Sequence, residues 1–463
     1  MAASKAARSS AHAMSTIPSD VDLLLVGATA LTGDPDCPLV EDSVIAIRGG
    51  RVALLGARAD VPQLPRSPRV INLAGRVVTP GFINVHTHAA LSVVRGVAED
   101  LGFAPAYTRG IPSGGDIRPD EARALARLGA LEALLFGSTL INDSFVHAGA
   151  AVGAMSELGL RVFVSERVHD VDFSGVVEGR WEHKTEIGER TLGAALDLAE
   201  RWHGGAQGRV SVQITAHAPD TCSDALLRLI REASLEYGLA VNTHLAQSEI
   251  EVERVRARSN LTPAESLDEA GLLDHRLIAA HCIHLEASDI ARVGRAGCTV
   301  AHVPKGNAIG GALAPTHRLR EAGARIALAT DNMHGDMIEV MRWGLAVGRL
   351  QQRRVSDEWQ PRHVFDMATI EGARALGMAD EIGSLRVGKK ADLVALDFRR
   401  PHLTPCLNPL GNLVHTAQGS DVELVIVDGQ IVVEGKKAVL VDEEEIRVEG
   451  ERAARTVWAR VKK

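Results

Sequence analysis

Between Val77 and Asp331 the chain alternates short apolar runs with amphipathic ones, and this alternation narrows its possible folds more than any other feature. Apolar runs at 77–88, 139–145, 160–166, 209–217, 239–245, 277–284, 299–304 and 325–331 have the length and composition of buried strands. Segments with helical spacing separate most of them, at 119–135, 193–203, 223–237, 248–258 and 287–296. Strands that alternate with helices in this way predict an α/β fold, a parallel (β/α)8 barrel of the TIM type rather than an open sheet.

The 463 residues exceed the roughly 250 that such a barrel needs, and the flanks have a different texture. Before the barrel, short strands are broken by Gly and Asp turns, Gly49-Gly50 among them; Asp428-Gly429 repeats the pattern near the C-terminus. We expect a small composite β-sandwich domain built from 21–76 and 385–440, around a barrel at 77–384. A terminal amphipathic helix at 441–463 should pack on the outside. The Ala- and Ser-rich stretch 1–20 has no apolar core of signal-peptide length and reads as a disordered tail.

Composition removes several classes of function. A hydrophobic share of 46% with 24% charged residues suits a soluble globular protein. A net charge of −8 argues against a nucleic acid or an anionic membrane as partner, which leaves a small, neutral or weakly charged molecule. The five cysteines show no C-x-x-C spacing, as in a reduced, cytoplasmic protein. No run approaches the ~18 apolar residues of a membrane span.

Chemistry concentrates at the strand ends, where barrels of this type carry their active sites. The first strand closes on His86 and His88, two residues apart and so on one side of it. Others end in His217, His244, His281, His302 and Asp331. Any one of these alone is an ordinary hydrogen-bonded core residue. Together, at one end of one barrel, they describe a site for a divalent metal with imidazole and carboxylate ligands.

These residues resemble the amidohydrolase superfamily, in its branch of triazine hydrolases, methylthioadenosine deaminases and guanine deaminases. The resemblance runs through Pro80-Gly81-Phe82, His86, His88, Arg95-Gly96, Asp100, His217-Ala218-Pro219, Thr243-His244-Leu245, Ala280-His281-Cys282 and Thr330-Asp331. It resumes at 388–393 and at Val427-Asp428-Gly429. It implies that His86, His88, His244 and Asp331 hold one metal ion per chain, zinc by default, with iron, cobalt or manganese as alternatives. It further implies that Asp331 takes a proton from the reacting water and that His281 orients the water or polarises the scissile group. His217, Gln247, His302 and His334 are the expected substrate contacts.

The chain departs from that pattern in two places. Deaminases of this branch carry Glu three residues after the strand-five histidine, where this chain has Gln247. A glutamine amide exchanges no proton at neutral pH, and Glu249, two positions on, reads as a solvated helix residue. After strand seven stands Val303-Pro304-Lys305-Gly306-Asn307 in place of an Asn-Pro-x-Ser-Asn-like stretch. The irregular region 102–118, with Phe103 and Tyr107, is either a lid or rim packing. A missing proton shuttle predicts hydrolysis of a C–N or C–S bond in a small neutral amide, urea, carbamate or thiocarbamate. This is the chemistry of the phenylurea and thiocarbamate (molinate) hydrolases that the chain also resembles. The alternative is a deaminase or dechlorinase of an aminated purine, pterin or triazine. A non-catalytic binding barrel is the third reading, which the full ligand set disfavours. Relatives of this kind often assemble, so a homo-oligomer is expected, with Trp458 as a candidate interface residue.

Overall fold

The computed structural model describes residues 18–101, 105–332 and 334–461. Phe103 and residues 1–17 of the expected tail lie outside them; Asp20 already bridges Arg66.

Two sheets organise the chain. The first takes β1 (Leu23–Leu31), β2 (Leu39–Arg48), β3 (Arg51–Ala57), β4 (Val70–Asn72) and β5 (Arg76–Pro80) from the N-terminal part. The second begins with β6 (Phe82–Thr87), β7 (Ser138–Phe145), β8 (Arg161–Val168) and the short pair β9 (Val210–Val212) and β10 (Ile214–Ala216). It continues through β11 (Val241–Leu245), β12 (Ile278–His281), β13 (Thr299–His302) and β14 (Arg325–Leu328). The chain then returns to the first sheet with β15 (Leu393–Asp397), β16 (Val422–Val427), β17 (Gln430–Glu434) and β18 (Lys437–Ala438).

The second sheet is the expected parallel barrel. Its strands pair in chain order from β6 to β14, and a parallel bridge between Thr87 and Asp331 closes the ring. Most flanking helices follow the expected spacing: Pro119–Leu135 and Ala287–Ala296 match it, while Ser223 and Ser248 cap the helices that begin one residue later.

The first sheet runs β18-β17-β16-β15-β5-β1-β2-β3, with β4 also on β1. Strands from both chain ends bury one apolar cluster, including Leu25, Ile45, Val78, Leu393 and Ile426. β1 pairs in parallel with β4 and β5, so this sheet is mixed.

One apolar run, 77–88, serves both sheets. The chain pairs with β15 through Pro80 and changes sheets at Gly81, whose N–H donates to Asp392 O at 3.0 Å. A Cβ on Gly81 would lie 2.0 Å from Thr139 Oγ1, so no larger residue fits this crossing. Nearby, buried Arg161 at the start of β8 pairs with Asp392 at 3.2 Å and ties the barrel to the first sheet. The terminal helix Glu443–Val461 packs on Pro119–Leu135, and Trp458 Nε1 donates to Val93 O at 2.7 Å. Among the described residues no helix is long and apolar enough to cross a membrane. All five cysteines are free.

Candidate metal centre and substrate cavity

Closing the barrel also assembles the site. His88 N donates to Asp331 O and Asp331 N to His86 O, both at 3.0 Å, so the bonds joining β6 to the segment after β14 set three candidate ligands side by side. Asp331 takes a left-handed backbone conformation (φ 64°), as do Ala246 after β11 (φ 48°) and His281 at the end of β12 (φ 70°). Residues with side chains rarely adopt it, and it persists where the surroundings hold the chain there. Here it turns three strand ends sharply.

The imidazoles are gripped from behind. His88 Nδ1 bonds to Ser144 O, His244 Nδ1 to His217 O at 2.6 Å, and His281 Nδ1 to Asn307 Oδ1 at 3.0 Å. Such outer bonds select the tautomer and aim the other nitrogen forwards. His88 Nε2 and His244 Nε2 approach to 3.2 Å, and Asp331 Oδ1 lies 3.4 Å from His88 Nε2 and 3.6 Å from His86 Nε2. Burial, with the neighbouring imidazoles, pushes His86 and His88 down to about 3 and His244 well below its ordinary value. The rings are therefore neutral and offer lone pairs.

The residues fit a metal ion. Two overlapping trios, His86–His244–His281 and His86–His88–Asp331, each place their donor atoms within 4.8 Å of one another. His86 Nε2 and Asp331 Oδ1 are buried without a hydrogen-bond partner among the described residues, an arrangement that a cation between them would satisfy.

A cavity of about 400 Å³ opens in front of this cluster. His88, His217, His244, Gln247, His281, Asp331 and His334 line it. His302 is not among its lining residues; it is fully buried, and neither ring nitrogen has a partner. His217, held at Nδ1 by Thr221 Oγ1 (2.8 Å), sits 5.1 Å from His244 between ring centroids. Gln247 is 3% exposed and its Nε2 is unpartnered. His334, held neutral by burial at about 4, likewise has neither nitrogen paired among the described residues.

Three features of the site are absent from the sequence reading. Glu251, not Glu249, is the buried carboxylate near Gln247: it accepts from Ala246 N (2.7 Å) and Gln247 N (2.8 Å), while Glu249 is exposed. A helix-face count would have found it, since Glu251 lies at N3 after the Ser248 cap. Lys305 and Glu339 form an ion pair at 2.7 Å on the cavity wall. Arg167 at the end of β8 also lines the cavity, and only the direction of its side chain reveals this. In region 102–118, Tyr107 packs at the rim, with its hydroxyl donating to Asp220 at 3.1 Å, while Ala106 and Gly114 line the cavity.

Residues 77–432 match the amidohydrolase family. The chain belongs to that family. This amidohydrolase is 34% identical over 417 residues to a 5-methylthioadenosine/S-adenosylhomocysteine deaminase of Desulforudis audaxviator, covering 89% of the present chain and 94% of that one. It is 31% identical over 446 residues to a 5'-deoxyadenosine deaminase of Methanosarcina mazei, covering 95% and 99%. Among solved structures, a zinc-bound adenosine deaminase from Xanthomonas campestris superposes with a TM-score of 0.84 at 24% identity, over 95% of this chain and 99% of the other. A zinc complex of atrazine chlorohydrolase from Arthrobacter aurescens TC1 gives 0.83 at 22% identity, over 93% and 100%. This amidohydrolase is a hydrolase of C–N bonds other than peptide bonds, the kind of bond that its deaminase relatives break.

Proposed function

We propose that this amidohydrolase hydrolytically removes an amino group, or an equivalent leaving group, from an aminated N-heterocycle such as a purine, pterin or triazine. The observation that carries the proposal is the convergence of His86, His88, His244, His281 and Asp331 in front of one cavity. The similarity to deaminases of adenosine derivatives supports the heterocycle over the open-chain urea or carbamate. His86, His88, His244 and Asp331 would hold one divalent ion, zinc by default, with iron, cobalt or manganese suited to the same nitrogen and oxygen donors. The ion supplies the polarisation that makes water nucleophilic near neutral pH.

The side chains then divide the work. Asp331 takes a proton from the attacking water and passes it to the departing nitrogen. The water oxygen ends on the ring carbon, the C–N bond breaks and ammonia leaves. His281, with its Nδ1 on Asn307 Oδ1, directs its other nitrogen to the same centre and orients the water. His217 packs against the ring. Gln247 donates from its unpartnered Nε2 to a ring nitrogen, which holds the ring but transfers no proton.

That last point favours a second reading. A substrate whose leaving group needs little protonation, such as a urea, carbamate or thiocarbamate, is served equally well by a glutamine. Metal analysis with a substrate panel separates the two. Ammonia from aminopurines, pterins or triazines, with about one metal per chain, is the expected result. Release of amine or thiol from the open-chain compounds alone would overturn the heterocycle reading.

A further inference from the structure

The cations around the cavity are not in equivalent positions. Arg95 is ion-paired with Glu132 and Lys305 with Glu339. Arg167 is 8% exposed and lines the same cavity, yet its side chain makes no hydrogen bond or ion pair among the described residues. Its sequence neighbour Glu166 does not neutralise it by contact. That carboxylate turns to the start of the preceding helix, Ala148–Ser156, and accepts from His147 N (2.9 Å) and Ala148 N (2.8 Å). Asp220, the other buried acid nearby, is engaged by Tyr107 and Trp181. What does hold Arg167 is aromatic: its guanidinium carbon lies 4.5 Å from the Phe173 ring centre and 5.8 Å from that of Phe145.

A buried guanidinium with no carboxylate in contact is costly, even with Glu166 close enough to be felt, and phenyl faces repay only part of the lost hydration. They do, however, fix its plane. A planar fork of donors held in one orientation is suited to a group with one or two accepting oxygens. Phe173 also locates the fork relative to the chemistry: the same ring lies 5.4 Å from His217, which is 5.1 Å from the ligand His244. An oxygen on Arg167 and a reacting carbon at the metal cluster thus lie within the span of one small molecule.

We propose that Arg167 is a specificity-determining residue that binds an oxygen acceptor of the substrate, so that the preferred substrate is an aminated heterocycle carrying an oxo or carboxylate group. The inference rests on the reading of this cavity as the substrate site. The oxygen has two possible sources, the ring or a substituent, and matched pairs distinguish them. Isoguanine against adenine adds a ring oxygen; S-adenosylhomocysteine against methylthioadenosine adds a carboxylate-bearing substituent.

The test uses the metal-loaded full chain and its Arg167→Met and Arg167→Lys variants, with metal content and Tm checked for each. In the wild type, kcat/KM for ammonia release should favour the oxygen-bearing member of one pair. Arg167→Met should remove that preference by about 100-fold while changing the partner without the oxygen about threefold or less, and Arg167→Lys should restore part of it. Equal losses for both members, or a preference that survives in Arg167→Met, would overturn the proposal. Calorimetric binding of xanthine against purine, neither of which has an amino group to lose, supplies a readout without turnover. Tighter xanthine binding that depends on Arg167, with no ammonia from any heterocycle, would uphold Arg167 as the residue that binds the oxygen and overturn the deaminase reading. Deamination with Arg167-independent binding would do the reverse.

Discussion

The floor of the cavity and its rim are built on opposite principles. On the floor, His88, His244 and His281 each have one nitrogen taken by an oxygen behind it, and backbone bonds that close the barrel hold His86, His88 and Asp331 together. On the rim, Gln247 Nε2, both nitrogens of His334 and Arg167 Nε have no partner among the described residues. The difference teaches what each part is for. A metal needs donors fixed to within a fraction of an ångström, so the fold must supply their outer bonds. A substrate brings its own partners, and polar groups left open reject molecules that cannot fill them.

The strongest way to break this contrast is to remove a floor ligand. His244→Ala or Asp331→Ala should empty the metal centre and abolish turnover, read by metal analysis of purified protein; an active variant without metal would sink the assignment. A rim change should leave the metal in place. Gln247→Glu should keep metal content and raise ammonia release from aminoheterocycles by roughly 10²-fold, the usual scale for a positioned proton donor. A fall in both would mean that Gln247 belongs to the floor.

Between the two lies Glu251, which holds the backbone of Ala246 and Gln247 from below. Glu251→Ala strands two buried N–H groups, which costs about 1–3 kcal/mol each. It should lower Tm and kcat while metal content stays near the wild-type level. The smallest effect is expected at His302, outside the cavity lining. Burial holds it down to about 3, whereas an unfolded chain takes up the proton near 6.5. Its contribution to stability is therefore fully present above pH 6.5 and is lost as pH falls from there towards 3. His302→Phe should lack that loss, so the variant should gain on the wild type by about 2 kcal/mol between pH 7.5 and 5 in denaturant titrations. A constant difference would show that His302 does not stay neutral.

The barrel was legible because its signal is periodic and repeated. Strand-length apolar runs between amphipathic helices leave one economical way to bury their faces, and histidines mark the same end of five of the strands. The crossing at Gly81 was less legible. The run 77–88 is continuous in composition, yet pairing with β15 and then β7 divides it between two sheets. At strand ends, sequence also fails to separate rim from wall: His302 has the same kind of position as His244, but its ring is enclosed. Glu249 is solvated, as expected, while Glu251, two residues on, faces inwards from the same helix.

From sequence alone, then, follow the barrel, the strand ends that carry its chemistry, the metal-type donors at those ends and the absence of a glutamate at Gln247. These depend on residue type and on periods of two and 3.6, which are local properties of the chain. Tertiary structure alone decided that Glu166 turns away from Arg167, that Glu251 supports Gln247, and that Lys305 meets Glu339 across 34 residues of sequence. Two of these turn on a side-chain direction or on a partner distant in sequence, which no local pattern encodes; the inward face of Glu251 follows from its place after the Ser248 cap, but what it supports there does not.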